Sequence, residues 1–176
     1  MASPGEALEA ALNRYYGGVA VTLTDAVTQF GGNSGLAQAI AGTTDKRDKA
    51  YKAALRNVQR YQAGAGKQQR TFNLAHRVGA RVQQAVGARQ LRRSGVTATA
   101  ANVHVKISDT SGTRSPGAQE LTGNELGEAL DLLDAGDPDA AGDVFAKAFT
   151  DAYGGANEQF VNMAEIDEFD GLTFGH

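Results

Sequence analysis

The sequence predicts an α+β fold that is mostly helical, with an N-terminal helical part followed by a small β-α-α-β part. Three observations carry that reading. Apolar residues recur at three-to-four spacing over most of the chain, and helix-capping signatures stand ahead of several of these runs. Strict alternation of apolar and polar residues is confined to one short stretch, "VHVKISD" at 103–109.

The elements follow in order. Ser3 and Glu6 form a capping box with Pro4 at the first helical position, and Leu8, Leu12 and Tyr15 repeat until Gly17 and Gly18 stop the helix. Thr22 or Thr24 caps a second helix with Leu23, Val27 and Phe30 inward, ended by Gly31 and Gly32. Asn33 or Ser34 caps a short third helix through Leu36, Ala37 and Ile40, ended by Gly42. A fourth helix runs from about Asp45 to Gln62. One of its stripes is apolar (Tyr51, Ala54, Leu55, Val58, Tyr61); another is basic and amide-bearing (Lys49, Lys52, Arg56, Gln59, Arg60). A fifth, from about Gln68 to Arg93, buries Phe72, Ala75, Val82 and Val86 and turns Arg70, Arg77 and Arg81 the other way.

Near Ser94 the character changes. "SGVTATAAN" is small and uncharged and reads as a linker or the lead-in to a strand. In "VHVKISD" Val103, Val105 and Ile107 alternate with His104, Lys106 and Ser108, the period of a half-buried strand. "TSGTRSPG", 110–117, is a loop by local rules. Thr122 and Glu125 box a helix carrying Leu126, Ala129, Leu130 and Leu133, ended by Gly136; Asp137 caps the next, with Pro138 at its first position and Val144, Phe145, Ala148, Phe149 and Ala152 inside, up to Gly154 and Gly155. The last stretch has Phe160, Ala164 and Ile166 in partial alternation and reads as a strand able to pair with 102–108.

With 176 residues, 41 % of them hydrophobic, no cysteine and no apolar run near the roughly 18 residues that span a bilayer, the expectation is a soluble chain of one or two small domains, not a membrane protein. "MASPGEALEAALNRYY" has no basic region followed by an apolar one, so no signal peptide is expected, and the expected address is cytoplasmic and nucleoid-associated. His76, His104 and His176 form no pair at metal-ligand spacing, and neither metal nor cofactor is expected.

The net charge of −3 conceals a split. Residues 43–94 hold thirteen Lys and Arg against Asp45 and Asp48, whereas 95–176 hold three basic residues against fifteen acidic ones. That asymmetry is the footprint of a nucleic-acid-binding segment joined to a segment with another task. The division expected is 1–94, a helical DNA-binding domain, and 95–176, a small acidic α+β domain. The basic stripe, backed by an apolar stripe and preceded by a short helix, is helix-turn-helix-like, an arrangement that brings Arg, Asn and Gln to base edges and phosphates in a major groove. The residues assigned to DNA are Lys49, Lys52, Arg56, Asn57, Gln59, Arg60, Lys67, Arg70, Arg77 and Arg81.

"SGLAQAIAG" followed by "RNVQRYQAGAGKQQR" resembles the helix-turn-helix of the actinobacterial, Streptomyces-type telomere terminal proteins of linear replicons. The later order of strand, Thr/Gly loop, Leu-rich helix, "DAGDPDAAGDVFAKAFTDAYGG" and acidic "EIDEFD" strand is similar to their C-terminal half. Where that family has only a few residues between the two helices, this chain has "TTDKRDKAYKAAL", so the fourth helix starts early or the turn is an extended loop. The resemblance implies a protein that binds the telomeric ends of a linear chromosome or plasmid, becomes joined to a DNA 5′ end through a side-chain hydroxyl and primes synthesis by a DNA polymerase. In that role it is not an enzyme. A telomere-associated protein is a further implied partner, with the acidic half as its candidate surface.

For the linked hydroxyl, "TSGTRSPG" offers Thr110, Ser111, Thr113 and Ser115. Thr113 is preferred, because Arg114 beside it can hold a phosphate and because the terminal proteins use a threonine in a matching Gly-Thr pair. The alternative is a transcriptional or plasmid-copy repressor that uses the same basic helix and acts as a homodimer on two half-sites. An enzyme has little support, with no G-x-S-x-G and no phosphate-binding loop; Glu165, Asp167, Glu168 and Asp170 form an acidic cluster read as solvated.

Overall fold

The computed structural model describes residues 1–64, 76–155 and 164–175, and within α5 the side chains of His76 and Arg77 fall outside that description. The described residues form an α+β chain of seven helices and two small antiparallel sheets, divided into two compact units, one of Val19–Val86 and one of Met1–Gly18 with Gly87–His176.

The first of these is all helical. It holds α2 (Leu23–Gln29), α3 (Asn33–Ala41), α4 (Lys49–Ala63) and the first half of α5 (His76–Ser94). Ala26, Leu36, Val58, Val78 and Val82 are its buried centre, with Val27, Phe30, Ile40 and Val86 packed around them. Thr22 caps α2 with Asp25 in a reciprocal box. α3 is capped differently from expectation: Gly32 holds the N-cap position without a side-chain bond. The two residues expected to cap are used on α4 instead, Asn33 in a mutual amide pair with Gln62 (2.7 and 2.8 Å) and Ser34 against the Tyr51 hydroxyl (2.9 Å). α4 starts at Lys49 rather than Asp45, because Asp48 takes the cap and accepts from the Ala50 N–H, leaving 43–48 as a connecting loop. The expected start of the fifth helix, with Phe72 and Ala75, lies outside the described residues.

The second unit joins α1 (Pro4–Gly17) and the end of α5 to β1 (Val96–Ala100), β2 (Asn102–Ile107), β3 (Thr110–Arg114), β4 (Gly117–Leu121), α6 (Gly123–Asp134), α7 (Pro138–Gly154), β5 (Ala164–Asp170) and β6 (Thr173–Phe174). The capping boxes Ser3/Glu6 and Thr122/Glu125 and the cap Asp137 are in place. "SGVTATAAN" is not a linker but holds a strand itself, β1, which lies in the middle of the sheet β4-β1-β6.

"TSGTRSPG" is not a loop. Val96 to Ile107 and Thr110 to Leu121 pair in one register, from Val96↔Leu121 through Ala100↔Gly117 and Val103↔Arg114 to Ile107↔Thr110. They form a single long hairpin that turns at Ser108 (φ 53°) and Asp109 and breaks where Pro116 has no N–H to donate. β3 is an edge strand with little burial on either face, so it carries no apolar alternation for sequence rules to read.

On the other side, β6 and β5 pair with β1 and β2, and α7 and α1 cover the buried face. Phe145 sits among Phe149, Phe169 and Phe174 with ring centres 5.3–6.5 Å apart across the cluster, which Tyr15 of α1 joins through Phe174. α1, which the sequence division groups with the helical half, therefore belongs with the acidic segment.

Candidate nucleic-acid interface and hydroxyl site

Burial of Tyr51, Ala54 and Val58 fixes how α4 is turned. Their positions cover one side of the helix, and the 100° step per residue then places Lys49, Lys52, Arg56 and Arg60 on the opposite side, in a line about 16 Å long. All four are exposed, with Gln59 and Asn57 exposed on its two flanks. Among the described residues none of these four cations has a carboxylate within ion-pairing distance. The helical unit as a whole, Val19–Val86, carries ten Lys and Arg against Asp25, Asp45 and Asp48.

The remaining residues assigned to DNA divide. Arg81 is exposed on α5, its guanidinium 5.6 Å from the centre of the Phe30 ring, a cation–π contact. Arg77 lies in α5 with its side chain outside the described residues, and Lys67 and Arg70 lie outside them altogether. Tyr61, expected in the apolar stripe, is 47 % exposed at the end of α4.

Thr113 belongs to the other unit. It is exposed on β3 directly across from His104 of β2. Of the four hydroxyls in this segment, that of Thr110 donates to the Ile107 carbonyl (3.0 Å) and that of Ser115 to Asn102 Oδ1 (2.9 Å). Ser111 and Thr113 have no hydrogen-bond partner among the described residues. Arg114 does not share a face with Thr113, because successive residues of a strand face opposite ways and Arg114 pairs with buried Val103. The cation on the Thr113 face is Lys106.

The sequence reads His104 only as a polar residue of a strand and Asp167 as one of a solvated acidic cluster, but Asp167 is half-buried and paired with both His104 and Lys106. Between His104 and Val105 the pairing with β5 slips by one residue, so that His104 faces Glu168, Val105 faces Ile166, and Asp167 is the extra, bulged residue. The bulge turns Asp167 onto the outer face, where Oδ1 lies 2.6 Å from His104 Nδ1 and Oδ2 lies 2.5 Å from Lys106 Nζ. Burial raises the Asp167 carboxyl, but the bonds from Lys106 and His104 outweigh it and hold the group below its ordinary value; the same bond raises Lys106. The signal was present in "IDEF": Ile166 and Phe169 are both buried three residues apart, which an unbroken strand cannot do.

Among the described residues no group of three or more His, Asp or Glu is arranged to hold a metal ion, and no helix is long and apolar enough to cross a membrane. No protein-family model matches the chain, and no match to a curated protein or to a solved structure is found.

Proposed function

We propose that this chain binds DNA through the exposed face of α4 and that it serves as a terminal protein of a linear replicon. In this role it binds the replicon end, accepts the first nucleotide on Thr113 and primes synthesis carried out by a DNA polymerase. The observation that carries the DNA reading is the unneutralised line Lys49, Lys52, Arg56 and Arg60. A merely solvated helix face interleaves both signs of charge, whereas a phosphate-binding face displays one. Each cation that meets a phosphate releases a condensed counterion, and amides beside the line are placed to read base edges. The finer, terminal-protein part of the reading is supported by the resemblance of "SGLAQAIAG" and "RNVQRYQAGAGKQQR" and by the free, exposed hydroxyl of Thr113.

The test is the affinity for duplex DNA measured over a range of salt. Four phosphate contacts predict a slope of log affinity on log salt of about −3 to −4. A flat dependence overturns the DNA reading. For the finer part, radiolabelled deoxynucleotide should become covalently attached to the wild-type chain in the presence of a terminal-DNA template and a polymerase extract, and not to Thr113→Ala.

A further inference from the structure

We propose that His104, held by Asp167, is a base that activates the Thr113 hydroxyl for attack on phosphorus. The inference rests on the assignment of Thr113 as nucleotide acceptor and adds what that assignment lacks, a group in this chain that takes the hydroxyl proton.

Three observations meet at one place. The Thr113 hydroxyl is exposed and committed to no partner among the described residues, unlike those of Thr110 and Ser115. His104 is its direct cross-strand neighbour, so the two side chains rise from the same face of the sheet with Cβ atoms about 5 Å apart. On the far side of His104, a bulge places Asp167 2.6 Å from Nδ1. An ionised carboxylate there accepts from Nδ1–H and leaves Nε2 as the ring's proton acceptor. The imidazole is half-buried, and Lys106 on the other carboxylate oxygen fixes Asp167 in turn. A hydroxyl, an imidazole and an orienting carboxylate thus stand on three adjacent strands. Thr113 and His104 are not hydrogen-bonded to each other in this structure, and the step proposed has Oγ1 and Nε2 close to bonding distance when the nucleotide binds, the arrangement by which a weak oxygen nucleophile is activated.

In the step proposed, Thr113 Oγ1 attacks the α-phosphorus of a deoxynucleoside triphosphate. The Oγ1–phosphorus bond forms, the bond from that phosphorus to the bridging oxygen breaks, pyrophosphate leaves with the electron pair, and the hydroxyl proton passes to His104 Nε2. Asp167 is a positioning residue and touches none of the reacting atoms.

A fluorophosphonate probe tests the relay without polymerase, nucleotide or DNA. The activated oxygen displaces fluoride from phosphorus and its proton goes to the base, leaving a stable adduct that peptide mass spectrometry locates. The expected result is labelling of Thr113 in the wild-type chain, retained in Thr113→Ser, absent in Thr113→Ala and slowed at least tenfold in His104→Gln and in Asp167→Asn. Circular dichroism and thermal melting check that the variants fold. Absence of label at Thr113, or a rate unchanged in His104→Gln, overturns the proposal. The salt-dependent DNA affinity of the same preparations separates the two readings. Binding without labelling overturns the relay alone, and labelling without binding overturns the DNA reading alone.

Discussion

The difference between Arg56 and Lys49 on one helix face is a difference of chemistry. A guanidinium can fork onto guanine and Asn57 onto adenine, whereas an ammonium is a point charge suited to phosphate. Arg56→Ala and Asn57→Ala should each cost on the order of 1 to 3 kcal/mol of discrimination between a preferred and a random duplex, while Lys49→Ala should weaken both alike, as competition binding measures. Asp167 gives a second expectation. Because its carboxyl is held below the ordinary value, its pairing with Lys106 contributes stability in full above about pH 4 and loses it as pH falls through the depressed value. At the other end the pairing is lost as pH rises through the raised value of Lys106. Carboxyl NMR should show Asp167 titrating below the ordinary carboxylate range, and its midpoint should rise in Lys106→Ala. The exposure of Lys49, Lys52, Arg56 and Arg60 was legible from helical periodicity. The pairing of His104 with Asp167 was not, because the two are 63 residues apart and meet only through strand register.

At the scale of elements, helix starts were the most legible feature, since Ser3/Glu6, Thr122/Glu125 and Asp137 close their own turns with groups three residues away. Strands were the least legible. β3 and β4 are mostly exposed edges whose partners lie across a hairpin, so Thr, Ser and Gly read as loop until the register from Val96↔Leu121 to Ile107↔Thr110 supplies their hydrogen bonds. The passage from α5 into this hairpin depends on Gly95, which has φ +71° and backbone so close that an added Cβ would stand 2.2 Å from the Leu121 carbonyl oxygen. Gly95→Ala should therefore destabilise the acidic unit by at least about 2 kcal/mol, read as a lower denaturant midpoint. The same change at Gly17, where nothing lies within 4 Å of the added atom, should be nearly neutral.

For the whole molecule, the electrical split follows the structural one but cuts the chain elsewhere. The expected cut after residue 94 places α1 with the basic half, yet α1 packs on α7, β5 and β6, and its Gly5 meets Gly142 of α7 so closely that a Cβ on Gly142 would stand 2.3 Å from the Gly5 nitrogen. Removing residues 1–18 should thus expose β5 and α7 to hydrogen exchange while the amides of α3 and α4 keep their protection. Equal loss in both units would show that they fold as one. The sequence by itself determined the α+β class, the helix caps at Ser3, Thr122 and Asp137, and the opposition of charge between the middle and the end of the chain. These depend on contacts within a turn or two, or on composition alone. Tertiary structure decided which segments share a core, that 110–121 returns as strand, and that Thr113, His104 and Asp167 stand side by side. Those relations join residues far apart in the chain, and they are set by register and by the burial of Phe145, Phe149 and Phe169 rather than by any local preference.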